Sequence, residues 1–513
     1  MRMTIYVYSH SFVVSTVERR FKQILAAFIR NRLTVEKFKI GKGEPGKKVF
    51  ASSSPNRSQI FFHINLFEQF KQMLITQGVR SDEYEIIYKK PKKGKRIDVK
   101  FIAPYSMSEL QNRCLDFIRE DHRLAAIAPL QTGKGKTALA LYFMCEYGRR
   151  TMITMNAKYI PRWIQDLTGE KAVVDLAESD ILVVKGLIQL KKYILLAKTK
   201  QLPDFKVMVL SNTTLYMFYK AFTDNPEEWK EIGLKVPQDL FSLFELGFRI
   251  RDEFHEDIHF NCKFDTFTHV SKALDLSATI IYDDPNLERI SQLISPIADR
   301  FNQGRWDTYT DVYATIYQIN LPTKLRWQMG WNGPYNHNEF EKSILKIPIH
   351  KKNFVSMVTG LARDVFVNDY KEGQRLLIYA STKEMCTQLA TILADEFPHL
   401  FVHRYIGEDE YEELLTGDIV VSTPKSAGTG VDIPGLVRVI DTVNTSSTQA
   451  NIQKIGRLRK PTLTDDEGKP IVPKYYYTTC LQIPQHMKYH YEKQSKLRGF
   501  VKSLQIYDTA YKL

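Results

Sequence analysis

Two short clusters in this sequence combine the residue types that phosphate chemistry needs. The first is Gln131-Thr132-Gly133-Lys134-Gly135-Lys136-Thr137, set directly after the apolar run AAIAPL and directly before the helical pattern ALALYFMCEY. Strand, glycine-rich turn and helix in that order aim backbone N–H groups and a helix N-terminus at anionic oxygens. Lys136 would then reach the terminal phosphates of a nucleotide and Thr137 would place its hydroxyl on Mg²⁺. Leu130 occupies the position where the general GxxxxGK[ST] pattern has its first glycine. The second cluster is Asp252-Glu253-Phe254-His255, which follows the apolar run FELGFRI and so stands at the carboxyl end of a strand. Adjacent carboxylates there can divide the work of an ATPase, one holding Mg²⁺ through its water shell and the other orienting the attacking water.

These clusters need a scaffold that presents strand ends side by side. From about residue 106 to 290, strand-like runs (RLAAIAP, RTMITMN, ILVVK, KVMVLSN, GFRIRDE, ALDLSAT) alternate with helical patterns, the signature of a parallel sheet covered by helices. A second alternating set starts near DVYATIYQI and runs through RLLIYAST, LFVHRYI, DIVVSTP, VRVIDTV and KYYYTTC. The fold class expected is therefore α/β, with two tandem domains at 101–300 and 301–513. Residues 1–95 read as a small α+β domain: a strand IYVYSH, a helix STVERRFKQILAAFIRNRL with Ser15 as N-cap, further strands, and EYEIIY. Between them, residues 89–100 (KKPKKGKRIDVK) read as a basic linker, in which Lys92, Lys93, Lys95 and Arg96 are candidate phosphate contacts. The segment 281–345 reads as an interdomain insertion whose aromatics could serve as a strand-separating pin. The C-terminal HMKYHYEKQSKLRGFVKSLQIYD reads as a basic helical stretch packed on the second domain.

Composition narrows the partners. The 513 residues suit roughly three to four domains, and 72 Lys plus Arg against 58 Asp plus Glu leave a formal charge of +14 that favours a polyanion. Cys114, Cys145, Cys262, Cys386 and Cys480 are scattered and odd in number, which points to reduced thiols without structural zinc. His255, His259, His269, His337 and His403 show no metal-ligand spacing, so no metal beyond Mg²⁺ is indicated. With no leader-like N-terminus and no run of 18 apolar residues, a soluble cytoplasmic protein is expected, away from membranes.

QTGKGKT, DEFH and Ser277-Ala278-Thr279 resemble, in this order, motifs I, II and III of the superfamily 2 helicases of the DExH kind. RLLIYAST resembles motif IV, STPKSAGTGVDIPGL motif V and QKIGRLRK motif VI. The resemblance implies two RecA-like domains with ATP in the cleft between them and nucleic acid across their top. It assigns Lys136 and Thr137 to phosphate and Mg²⁺, with Thr132, Gly133, Lys134 and Gly135 forming the cradle. Asp252 goes to Mg²⁺, Glu253 to water, and His255 with Ser277 and Thr279 to coupling. Gly430 and Asp432 would line the cleft, Gln453 would sense the nucleotide, and Arg457 would act as an arginine finger. Lys460 stands where the family pattern QxxGRxxR ends in arginine, which leaves Arg459 as the second candidate finger. Gln111 resembles the adenine-reading glutamine, and Arg162 and Trp163, after Pro161, resemble motif Ia, which touches nucleic acid.

Within the superfamily, the compact motor and small N-terminal domain most resemble phage UvsW-type, RecG-like helicases. That implies a monomeric ATP-dependent DNA helicase or translocase for fork regression, Holliday-junction migration and D-loop or R-loop unwinding in replication, recombination and repair. An RNA helicase, or the motor subunit of a restriction-type translocase, would carry the same motor motifs.

Overall fold

The computed structural model describes residues 3–37, 46–54, 56–170, 172–319, 325–329, 333–407, 409–427, 432–460, 463–465 and 467–507. They form two compact α/β units, the first drawn mainly from residues 1–303 and the second from residues 304–513.

The first unit begins with a five-stranded sheet ordered Ser52–Ser53, Gln59–His63, Ser11–Thr16, Met3–Val7, Tyr84–Tyr88. All its pairings are antiparallel except Met3–Val7 with Tyr84–Tyr88. Ser15 lies in a strand and caps nothing: the alternation of SFVVST outcompetes helix initiation, and the helix starts at Arg19 after Glu18. Phe12, Phe62, Phe67 and Phe70 pack between this sheet and its helices, the Phe12 and Phe62 rings 5.0 Å apart. This core is not self-contained. Ile258, Cys262, Ile290 and Ile294 complete it from the helices Ile258–Phe267 and Pro285–Ile294. Val13 and Phe61, on the other face, join Phe264 and Phe267. The segment read as an insertion thus contributes a helix to the N-terminal core.

Residues 89–100, expected as a linker, are bound along the first unit. Lys95 N–H donates to the Glu245 carbonyl and Lys95 C=O accepts from Arg150 N–H, each at 2.9 Å, while Ile97 N–H reaches Gly148 O at 3.1 Å. Ser271 Oγ donates to Lys92 O at 3.0 Å. Gly94, at φ +75°, passes so close to Gly247 that a Cβ would lie 2.3 Å from its nitrogen. Charge governs the side chains, which stay exposed at Lys92, Lys93, Lys95 and Arg96. The backbone polar groups bind the sheet margin regardless of it.

The sheet that follows is six-stranded and wholly parallel, ordered Ile181–Val184, Val207–Ser211, Thr151–Met155, Phe248–Arg251, Lys272–Ser277, Ala125–Pro129. Its inner strands are buried on both faces, as continuous runs such as MVLS require. Behind the strand Phe248–Arg251, Arg249 and Arg251 are wholly buried with Asp265 and Asp275.

The second unit is a seven-stranded parallel sheet ordered Val402–Tyr405, Ile419–Ser422, Arg375–Tyr379, Leu436–Asp441, Lys474–Cys480, Asp311–Tyr317, Ser503–Tyr507. The C-terminal stretch is therefore only partly helical. The helix Pro484–Lys496 ends at Leu497, and the chain returns as an edge strand beside Asp311–Tyr317. Parts of the QMGWNGPYNHN segment (330–332) lie outside the described residues. Among the described residues no helix is long and apolar enough to cross a membrane, and no group of three or more His, Cys, Asp or Glu could hold a metal ion. Burial pushes the Cys114 thiol up to about 12.

Lys493, on the helix Pro484–Lys496, is 3% exposed, with its ammonium 4.3 Å from the Tyr477 ring centroid. Nearby, Lys454 already pairs with the buried Asp441. Burial lowers the Lys493 pKa from 10.5 to about 7, with Asp441 opposing the shift and Lys454 adding to it. The folded chain gives up a proton that the unfolded chain keeps, so this site costs stability in full below pH ~7 and less as pH rises towards 10.5. Lys493→Met should raise stability by on the order of 2–4 kcal/mol at pH 6. The gain should fade by pH 10, as read from urea unfolding across that range; a gain independent of pH would refute the buried-charge account.

Candidate active site

The helix Glu109–Arg119 opens with a capping box: Ser108 Oγ accepts from Gln111 N at 3.3 Å and Gln111 Oε1 accepts from Ser108 N at 2.8 Å. The same amide spends its Nε2 on the carbonyl of Gly135 at 3.3 Å. Gln111 thus braces the glycine-rich loop, with its oxygen committed to the cap. At Gly135, φ +68°, a Cβ would sit 2.6 Å from Gln111 Nε2, so only glycine fits the turn.

The glycine-rich loop follows the strand Ala125–Pro129. Gly133 (φ +85°) and Gly135 turn the chain in left-handed conformations, and the 12-residue helix Lys136–Tyr147 begins at once, with Lys136 and Thr137 in its first turn. Thr132 and Lys134 are half-buried. Lys136 Nζ donates to Leu130 O at 3.1 Å. The Leu130 side chain is fully buried in the core of this unit, so the departure from glycine is absorbed by packing.

Asp252 and Glu253 leave the carboxyl end of Phe248–Arg251, and Ser277 ends the adjacent strand Lys272–Ser277, itself adjacent to Ala125–Pro129. Three adjacent parallel strands therefore deliver the acids, the Ser277-Ala278-Thr279 segment and the glycine-rich loop to one edge, where open α/β sheets bind their ligands. Asp252 N–H donates to Thr154 O, and Asp252 Oδ1 accepts from Glu253 N–H, both at 2.9 Å. Burial raises the Asp252 pKa to about 6, the neighbouring Glu253 adds to the rise, and the Trp163 N–H and Lys136 oppose it. Glu253 holds φ +50°, a conformation that costs a non-glycine residue on the order of 1 kcal/mol. Its buried Oε2 has no hydrogen-bond partner among the described residues and lies 3.3 Å from His255 Nδ1.

His255 is buried, which lowers its pKa to about 4 and keeps it neutral near pH 7. Its Nδ1 is 2.9 Å from Ser277 Oγ, which donates to Thr279 O at 2.7 Å. Since that hydroxyl has one hydrogen, Ser277 accepts from an Nδ1–H tautomer, and the three residues form one directed chain.

Trp163 does not fit the expected contact with nucleic acid. It is 2% exposed, and its indole N–H donates to Asp252 Oδ2 at 2.9 Å. Helical spacing in IPRWIQDL puts Trp163 on the apolar side with Leu167; it does not reveal the polar end of the indole. Arg162, on the opposite side, is exposed.

In the second unit, Gln453 lies on the helix Thr448–Ile455 and Arg457 just beyond it, 4% exposed, with Nε 3.5 Å from Gln453 O. Arg459 is more accessible: Nε donates to Asp432 Oδ1 at 2.9 Å and Nη1 to Gly456 O at 3.0 Å. The two candidate fingers thus differ in access, and Asp432 is occupied by one of them. Gly430 lies outside the described residues. In the motif IV segment, buried Glu341 accepts from Ser381 N, Thr382 N and Thr382 Oγ1 at 2.6–2.9 Å.

The residues at the loop and strand ends fit a Mg²⁺-nucleotide. Two left-handed glycines form a cradle at a helix N-terminus, a lysine and a threonine begin that helix, and a carboxylate pair with an orphaned buried oxygen stands at the same sheet edge.

No protein-family model matches the chain, and no curated protein matches it. Among solved structures it is similar to UvsW of T4, at 13% identity and TM-score 0.34 over 99% of each chain. It is also similar to S. cerevisiae Dbp5 bound to RNA and ADP BeF3, at 13% identity and TM-score 0.46 over 78% of this chain and 89% of that one.

Proposed function

We propose that this protein is a nucleic-acid-dependent ATPase, a superfamily 2 helicase or translocase that remodels branched DNA. The observation that carries the ATPase reading is the delivery of Asp252, Glu253, Ser277 and the phosphate loop by three adjacent parallel strands to one edge. Bound Mg²⁺ would supply charge neutralisation on the phosphate oxygens. Thr137 and Asp252 are the residues that would hold it. Lys136 and the N–H groups of Thr132 to Thr137 bind the phosphates, and Glu253 orients water with its unpartnered oxygen. His255, Ser277 and Thr279 carry a change at Glu253 into the strand next door. Arg457, or the more accessible Arg459, is the cation that would meet the charge that develops on hydrolysis.

Binding to a nucleic-acid backbone is supported by the net charge of +14 and by the exposed Lys92, Lys93 and Arg96 on a strap whose backbone is pinned. Pinned cations lose less entropy on meeting a phosphate backbone than cations on a loose tether. Because the N-terminal sheet shares its core with the motor, removing residues 1–95 would strip Phe264 and Ile290 of cover, so truncation is a poor test. Steady-state hydrolysis should instead be compared with no nucleic acid, single strands, duplex, a fork or four-way junction, and RNA, at one salt concentration. The branched DNA should stimulate most. Reversing the charges of Lys92, Lys93 and Arg96 together should weaken fork binding and reduce the salt slope by about three. Strongest stimulation by RNA would replace this reading with an RNA helicase.

A further inference from the structure

We infer that Trp163 is a positioning residue for the Mg²⁺-binding carboxylate Asp252, an inference that rests on the ATPase reading above. A buried carboxylate has two oxygens to satisfy, and here each has one donor: Trp163 Nε1 on Oδ2 and Glu253 N on Oδ1, both at 2.9 Å. With the main-chain N–H of Asp252 held by Thr154 O, the plane of the carboxylate is set from three sides. Each oxygen keeps a further lone pair, so the donors orient the group without using up its capacity to accept from a metal's water shell.

The indole is itself well anchored. Pro161 stands at the start of the helix Ile160–Thr168, and Trp163 packs in the main core of the first unit with Tyr159, Leu167, Ile153 and Val209. The same segment grips the acid-bearing loop a second time: Tyr159 Oη donates to Glu256 Oε1 at 2.9 Å and Asn156 Nδ2 to Glu256 Oε2 at 3.3 Å. Two clamps four residues apart in the helical segment thus meet two acids four residues apart in the loop. A tryptophan kept only for packing has no need to direct its N–H at a carboxylate. Asparagine or serine could donate there too, but neither would be held by the core.

The test is the Mg²⁺ dependence of nucleotide affinity, measured by titrating Mg²⁺ against a fluorescent non-hydrolysable ATP analogue on the full chain. Trp163→Phe keeps a ring and removes the donor. It should raise the Mg²⁺ half-saturation about 10-fold while leaving affinity for the Mg²⁺-free analogue unchanged. Leu167→Ala, a core truncation one helical turn away, should lower the melting temperature without moving the Mg²⁺ response. Trp163→His packs worse than phenylalanine but retains a ring N–H, so it should recover part of the Mg²⁺ affinity lost in Trp163→Phe. A Trp163→Phe protein with the wild-type Mg²⁺ response, or a histidine variant worse than phenylalanine in that response, would overturn the inference. Asp252→Asn separates the two levels: an unchanged Mg²⁺ response there removes the ATPase assignment of Asp252 itself.

Discussion

Lys136→Ala should abolish ATP hydrolysis, with turnover falling at least about 100- to 1,000-fold, because the charge that develops on the phosphates loses the lysine that begins the helix. Glu253→Gln falls as far by another route. It keeps shape and nucleotide affinity but replaces the oxygen that would accept from the attacking water, so kcat drops and nucleotide affinity stays. The two variants are thus separable: binding of an ATP analogue weakens in Lys136→Ala and persists in Glu253→Gln. Fork binding, measured without nucleotide, should survive both, since neither residue lies on the exposed basic strap. Hydrolysis near the wild-type rate in either variant would remove the site from the phosphate loop or from the acid pair respectively.

The residues with this chemistry were legible because their signals are local. A glycine pair before a helix, or two acids after an apolar run, announce a turn and a strand end from their own neighbours. The α/β order was legible for the same reason: parallel strands buried on both faces read as continuous apolar runs. What was not legible depends on partners far along the chain. The basic run at 89–100 reads as tether because charge is visible, whereas its hydrogen bonds to Glu245, Arg150 and Gly148 are made by backbone that every sequence carries. Trp163 shows its period but not the direction of its N–H, which is set by Asp252, 89 positions away. Ser15 reads as a helix cap because Ser15 and Thr16, the last residues of the strand Ser11–Thr16, directly precede the helical pattern. The strand Ser503–Tyr507 is short, half-exposed and at an edge, so it lacks the apolar alternation that marks a strand.

The arginines of the strand FRIR show this most sharply, and their substitution has the second large expected effect. Arg249 meets Asp265 at 2.5 Å and Asp275 at 3.0 Å; Arg251 meets Asp275 at 2.6 Å and Asp265 at 3.1 Å. All four side chains are buried, and His63 of the N-terminal sheet adds a contact to Asp265 at 3.5 Å. Burial alone would raise the Asp265 pKa, but Arg251 and Arg249 hold it well below the usual carboxylate range. Asp265→Asn leaves two buried guanidiniums with one carboxylate and should cost about 3–5 kcal/mol at pH 7. A carboxylate whose folded pKa is depressed stabilises above its unfolded pKa of about 3.9, and that stability is lost as pH falls through the folded value. The deficit of Asp265→Asn against wild type, read from urea unfolding, should therefore be full at pH 7 and shrink below pH ~4. A deficit under about 1 kcal/mol at pH 7 would mean the network is not coupled as its geometry indicates. Replacing Arg251 and Asp275 together by Met and Leu should cost less than the two single changes summed, because the paired charges leave together. The consequence reaches the site: the strand these charges hold ends at Arg251, the residue immediately before the acids Asp252 and Glu253. A variant of the network that stays folded should lose ATP turnover before it loses secondary structure, since the acids need sub-ångström placement and the sheet does not.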